Sequence, residues 1–163
     1  MNESLPINCV DWYQAYAFCI WDGAFLPSDS EWNYVASGGD EQRVFPWSTP
    51  STSATVDCSH ANFIWNNMSC SGQPDSAGSR SPMGDGRWGH ADLAGNLQEW
   101  TLDWAGPYGG PCVDCASLSS VGFNGRAVRG GAFDLVDVHV AAPGVDVPSD
   151  HGEDMGFRCA RSP

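Results

Sequence analysis

The sequence predicts one loop-rich domain in which two short helices lead into a few short strands, and three observations carry that reading. The first is size: 163 residues with 42% hydrophobic and 12% aromatic content can bury one core of useful size but hardly two. The second is composition. Nineteen Gly and 11 Pro beside eight Trp favour irregular backbone anchored by large rings over long helices or regular sheet stacks. So many aromatics need burial, which argues against disorder. The third is the order of local signals, with helix starts before residue 40 and strand-like runs after residue 97.

Taken in order, "VDWYQAYAFCIWDG" reads as a helix. Asp11 and Gln14 form a capping box, Trp12, Ala15, Tyr16 and Cys19 share a face, and Gly23 can end it. "PSDSEWNYVASGG" repeats the pattern, with Ser28 as N-cap, Glu31 three residues on, Trp32 and Val35 facing inward and Gly38-Gly39 as the stop. Residues 40–90 are turn-rich, most of all in "SGQPDSAGSRSPMGDGRWG". "LQEWTLDW" at 97–104 reads as a strand, and "RAVRGG" at 126–131 and "GFRCAR" at 156–161 have strand character. Between the last two, Ala132 to Asp154 shows neither rhythm and carries no Lys or Arg. No repeat or linker divides the chain, so the expected domain is 1–163.

Charge is lopsided: 20 Asp and Glu against seven Arg, no Lys, net −13. Tracking a nucleic-acid backbone needs a basic stripe, and an anionic membrane surface would repel this chain. Both partners are disfavoured. The acidic surplus leaves a solvated surface or binding of hard cations through oxygen ligands. Seven cysteines in so small a chain point to an oxidising compartment. "MNESLPINCVDW" has neither the basic nor the apolar region of a signal peptide, and nothing approaches a membrane span. The expectation is an exported protein, extracellular, periplasmic or at the cell surface, whose leader and upstream part are missing; the odd cysteine count agrees.

Six ordered blocks go further: "LPINCVDWYQAYAFCIWDGAFLPSDSEWNYVASGG", "FPWS", "HANF", "GRWGHADLAGNLQEWTLDW", "RAVRGGAF" and "MGFRCAR". Together they resemble the formylglycine-generating, sulfatase-modifying enzyme family over nearly the whole chain. The resemblance implies an α+β fold of C-type lectin-like kind with little regular structure, and that the N-terminal portion of the family domain lies outside these residues.

"DLAGNLQEW" at 92–100 holds the strongest local constellation, since Asp92 and Glu99 bring carboxylate oxygens to a Gly-containing turn able to aim carbonyls inward. The resemblance implies calcium here, held by Asp92, Gly95, Leu97 and Glu99. The alternative is that Asn96 and Glu99 bond turn amides around a buried Trp100. A second implied calcium site starts at Asn62-Phe63, with Asp75 a candidate later ligand. Family likeness also implies a Cys19–Cys159 disulfide, which would close most of the chain into one loop and constrain the unfolded state. Cys58 with Cys70, and Cys112 with Cys115, could each close locally; a zinc site using all four thiolates is the rival. Cys9 is left over. His60, His90, His139 and His151 show no metal-binding spacing and read as structural hydrogen-bonders.

Competent members of the resembled family bind copper(I) through two cysteines just after "RGG", as soft copper demands. Those positions fall here on Leu135 and Val140, and no Cys occurs from 116 to 158. No copper is expected, and no catalytic residues. The reading is a non-catalytic binding domain, calcium-stabilised, presenting the loop of Asp134, Asp137, His139, Asp146, Asp150, Glu153 and Asp154 to a protein or small-molecule ligand, cationic or bridged by a divalent ion. Two alternatives stand: an atypical formylglycine-generating oxidase acting on sulfatase-type cysteines, and a structural or adhesive surface domain.

Overall fold

The computed structural model describes residues 3–107, 116–120, 122, 124–162. Helix α1 spans Trp12–Trp21 and α2 spans Asp29–Ala36, each opened by the expected capping box. Asp11 accepts from the Gln14 amide at 2.7 Å while the Gln14 side chain accepts from the Asp11 amide at 3.1 Å. Ser28 and Glu31 repeat the exchange, so each helix start has two otherwise orphaned N–H groups satisfied. Strands follow as β1 (Ile64–Trp65), β2 (Met68–Ser69), β3 (Gln98–Trp104), β4 (Arg126–Arg129), β5 (Gly144–Asp146) and β6 (Met155–Gly156).

Strands β1 and β2 form a hairpin turned by Asn66 and Asn67, both at positive φ, a conformation Asn tolerates better than most residues. The other four make one sheet in the order β5-β4-β3-β6. β3 and β4 run antiparallel, with Trp100 opposite Val128, while β6 joins β3 in parallel through Gln98–Met155 and Glu99–Gly156. Helix α1 lays Trp12, Ala15 and Cys19 on this sheet, where they meet Leu26, Trp100, Val128 and Met155 in the main core. A second cluster gathers Phe45, Ala61, Phe63, Ala94 and Val138, and a third Trp32, Ala36, Leu93 and Val140.

Three expectations change. Tyr16 leaves the buried face: it is 38% exposed and lies flat on Trp12, with ring centroids 5.0 Å apart. The 132–154 segment is not without strand, because β5 pairs with β4 through Arg126–Asp146, Ala127–Val145 and Val128–Gly144. Its sequence hides this: "GVD" is too short for alternation to show. The "GFRCAR" run shrinks to β6 plus a single bridge between Phe25 and Ala160, since the sheet offers β6 a partner only at Gln98 and Glu99.

Two cross-links take the expected partners. Cys19 bonds Cys159, 140 residues away, and Cys58 bonds Cys70. A disulfide at Cys58–Cys70 removes those thiols from the rival zinc reading. Cys9 is free and exposed among the described residues, and the Cys112–Cys115 pairing lies outside them. Two disulfides place the folded chain in oxidising surroundings. No helix among the described residues is long and apolar enough to cross a membrane.

Candidate functional site

The candidate surface is the loop between β4 and β6, and its frame begins inside the sheet. Arg129, the last residue of β4, drives both arms of its guanidinium onto the Asp29 carboxylate at the start of α2, with the side chains 5% and 10% exposed. Its third nitrogen reaches the Val140 carbonyl at 3.4 Å. Gly130 and Gly131 then turn the chain at φ 94° and 67°; a Cβ at Gly131 would strike the Asp137 carbonyl.

Beyond that turn the loop is tacked down at intervals. Ala132 and Phe133 are buried, Val138 enters the second core cluster and Val140 the third. The Val140 amide donates to the Val44 carbonyl at 3.2 Å, the Pro148 carbonyl accepts from Trp12 at 3.1 Å, and Asp154 accepts from both the amide and the side chain of Gln98, at 2.8 Å and 3.0 Å. Between the tacks, Asp134, Asp137, His139, Asp150 and Glu153 are exposed, and Asp146 and Asp154 are half-buried.

The carboxylates are close enough to feel one another. Burial pushes the Asp134 carboxyl up, and the charges of Asp154 and Glu153 add to it. Burial likewise raises Asp146, helped by Asp150 and Asp154. Asp137 goes the other way: burial opposes it, but bonds from the His139 amide and ring hold it below the usual carboxylate range. His139 also lies against the Phe45 ring, centroids 4.6 Å apart. The surface is therefore a fixed array of mutually repelling negative charge, which a cation would relieve.

Leu135 and Val140, the positions that the family resemblance assigns to copper-binding thiolates, are differently placed. Leu135 is 37% exposed, while Val140 is 4% exposed against Trp32, Ala36 and Leu93. One ring nitrogen is also occupied in two other histidines: His60 Nδ1 meets Asp57 at 3.0 Å and His151 Nδ1 the Ser149 carbonyl at 3.2 Å. His90 is exposed.

At the first calcium motif, Glu99 is 7% exposed and its two oxygens accept from Arg158 and from the Trp32 indole at 2.7 Å. Arg158 also bonds the Asp92 carbonyl at 3.0 Å, and the Asp92 carboxylate accepts from the Gly78 amide at 2.6 Å. A cavity of about 250 Å³ opens here, lined by Asp92, Asn96, Leu97, Glu99, Phe157 and Arg158 among others. Burial raises the Asp92 carboxyl, so this is a desolvated pair of acids with Arg158 as its resident cation. A calcium ion entering would compete with Arg158 for Glu99.

The second motif presents oxygen differently. Asn62 is 1% exposed; its Nδ2 donates to the Gln73 carbonyl at 2.9 Å and to Asn96 Oδ1 at 3.3 Å, while its Oδ1 is buried with no partner. Phe63 is buried and its carbonyl accepts from Cys70. The Asp75 carboxylate is taken by Arg80 and Ser71, and its amide donates to Asn96 Oδ1. Hard oxygen and an orphaned acceptor suit a calcium ion better here than at Glu99. Among the described residues, no three His, Cys, Asp or Glu side chains group as a metal site.

Sequence reasoning missed the Asp29–Arg129 and Glu99–Arg158 pairs. Their partners lie 100 and 59 residues apart, and nothing local in either segment announces the match.

With this geometry in view, the comparisons are consistent. The family model described as "Sulfatase-modifying factor enzyme 1-like domain" matches residues 1–163. A formylglycine-generating enzyme of Streptomyces coelicolor is 32% identical over 95% of this chain and 52% of its own length. An inactive C-alpha-formylglycine-generating enzyme 2 of Mus musculus is 27% identical over 97% and 49%. The chain thus spans about half the length of these curated relatives. In fold it is similar to Treponema denticola variable protein 1, with a TM-score of 0.78 and 22% identity over 100% of this chain and 73% of that one. PvdO from Pseudomonas aeruginosa gives 0.75 and 23%, over 94% and 60%. The folds agree on an α+β, loop-rich scaffold, and with a family match across all its residues the chain belongs to the sulfatase-modifying factor enzyme 1-like domain family.

Proposed function

We propose that this domain is a non-catalytic binding module of an exported protein, with the 132–154 loop as its ligand surface. The observation that carries the reading is the fate of the two copper positions: one is a half-exposed Leu135, and the other, Val140, is a core residue that pins the loop. Such a loop keeps its shape without a metal and turns its carboxylates outward, which suits recognition better than turnover. The expected partner is a cationic protein segment or small molecule, or one bridged by a divalent ion.

Two measurements test this. A cysteine-containing sulfatase peptide incubated with copper and oxygen should give no formylglycine; turnover would return the domain to the oxidases. For a partner captured by the domain, affinity should fall steeply between low and physiological salt and drop at least about tenfold on Ala substitution of Asp134, Asp137, Asp146, Asp150, Glu153 and Asp154. Affinity that survives all six substitutions would overturn the electrostatic part.

Structural calcium belongs to the same proposal, supported by the unpartnered Asn62 Oδ1. A ligand bound only by the native state stabilises it by about 2.7 kcal/mol at a hundred times its Kd. For a chain of this size that corresponds to roughly 5–10 °C in melting temperature. Chelation should lower the melting temperature by that amount, and Asn62→Ala should abolish most of the difference. Superimposable melts in calcium and chelator would sink the calcium claim.

A further inference from the structure

Among the described residues, six arginines hold an ion pair: Arg43, Arg80, Arg87, Arg129, Arg158 and Arg161. Arg126 holds none, although it is 9% exposed and the chain carries 20 acids. A buried, unpaired guanidinium is costly, so its surroundings must compensate it or await something that does.

Part of the compensation is visible. The guanidinium is gripped between two indoles, 3.7 Å from the Trp12 ring centroid and 4.1 Å from that of Trp104. Tyr16 stacks against Trp12, and Tyr13 meets Trp12 edge-on. Both rings attract the cation through their π faces. They offer its N–H groups no conventional hydrogen-bond acceptor. Of the edge donors, Nη1 bonds the Leu102 carbonyl at 2.7 Å, while Nε is buried without a partner.

Nearby carboxylates do not fill that edge. Asp103 spends its two oxygens on the amides of Ser117 and Asp29, at 2.6 Å and 2.8 Å. Asp146, opposite Arg126 in the β4–β5 register, accepts from its own neighbour's amide, Val147, at 2.7 Å. Burial pushes the Arg126 pKa down, with Asp103 and the phenols of Tyr13 and Tyr16 acting against it. Nε–H and the adjacent Nη2 form the side-on fork of an arginine, whose spacing matches the two oxygens of a carboxylate.

We propose that Arg126, clamped by Trp12 and Trp104, is a binding site for a carboxylate carried on an apolar or aromatic body. The fork takes the carboxylate and the exposed rings of Tyr13 and Tyr16 take the body; these rings are 58% and 38% exposed. Clamping matters because the fork is held before the ligand arrives, so little side-chain freedom is lost on binding. The site borders the 132–154 loop at Asp146, which stands opposite Arg126 in the ladder, but attracts the opposite charge.

The test is nitrogen-15 NMR of the arginine Nε–H groups in the 163-residue protein, titrated at constant ionic strength with benzoate, benzamide, acetate and N-acetylphenylalanine. Benzoate should shift the Arg126 Nε–H saturably, and benzamide, with the same ring but no carboxylate, should not. Acetate should bind more weakly than benzoate. N-acetylphenylalanine stands for a chain terminus, and the tighter of it and benzoate tells whether the natural ligand is a peptide end or a small acid. Arg126→Lys should weaken benzoate at least about tenfold, since Lys keeps the charge but loses the fork. In the wild-type protein alone, no saturable shift at Arg126 Nε–H with benzoate or N-acetylphenylalanine, or an equal one with benzamide, would overturn the site. Equal affinity for acetate and benzoate would overturn the apolar half of it.

Discussion

Replacing Cys19 and Cys159 together by Ala should lower the melting temperature by roughly 10–20 °C. The bond joins residues 140 apart, and in the chain-entropy model closing a loop of that length removes about 5 kcal/mol of freedom from the unfolded chain. A chain of this size converts each kcal/mol into roughly 2–4 °C. Both sulfurs pack in the main core beside α1 and the sheet, so the Ala pair also leaves a small void. Removing Cys58–Cys70 instead opens a loop of only 12 residues and should cost less. Differential scanning calorimetry of the two variants decides; equal losses would show that native-state packing, not loop length, sets the stabilisation.

Asp29→Ala should cost about 3–5 kcal/mol, because it strands the Arg129 guanidinium in a site where only 5% of the side chain is exposed. The loss has a structural address: Arg129 ends β4, Asp29 opens α2, and the same guanidinium touches the Val140 carbonyl. A double change, Asp29→Leu with Arg129→Met, removes both charges and should be milder than either single change. Urea unfolding at constant slope measures all four proteins. If the double variant falls by the sum of the singles, the two residues are not a coupled pair. The same variants report on the ligand loop, since loosening Arg129 frees the backbone that positions Asp137 and His139.

Much of the frame was legible because its signals are local. Asp11 with Gln14 and Ser28 with Glu31 are three residues apart, and both capping boxes form as read. β3 was legible as a strand at 97–104, and the structure shortens it by one residue. What escaped was non-local. β5 exists because β4 offers it a ladder, and Arg158 reaches Glu99 only because β6 brings the C-terminal end beside β3. Tyr16 was misplaced for a different reason: α1 carries no charged residue between Trp12 and Trp21, so apolar periodicity could not tell its buried face from its exposed one. The acidic loop was visible as composition, whereas its tacking by Val138 and Val140 was not.

The parallel seam between β6 and β3 sets the order in which this protein can be made. Met155 and Gly156 must reach Gln98 and Glu99, Ala160 must bridge to Phe25, and Cys159 must find Cys19. Each contact joins residues 155–160 to parts of the chain made far earlier. Topologies dominated by such distant pairings fold slowly, because a large loop must close before any contact rewards it. The core of Trp12, Trp100 and Met155 therefore cannot assemble before residues 155–160 are free to dock on β3 and α1. Until those residues dock the chain stays open, with its apolar surface in need of protection and Cys19 without its partner.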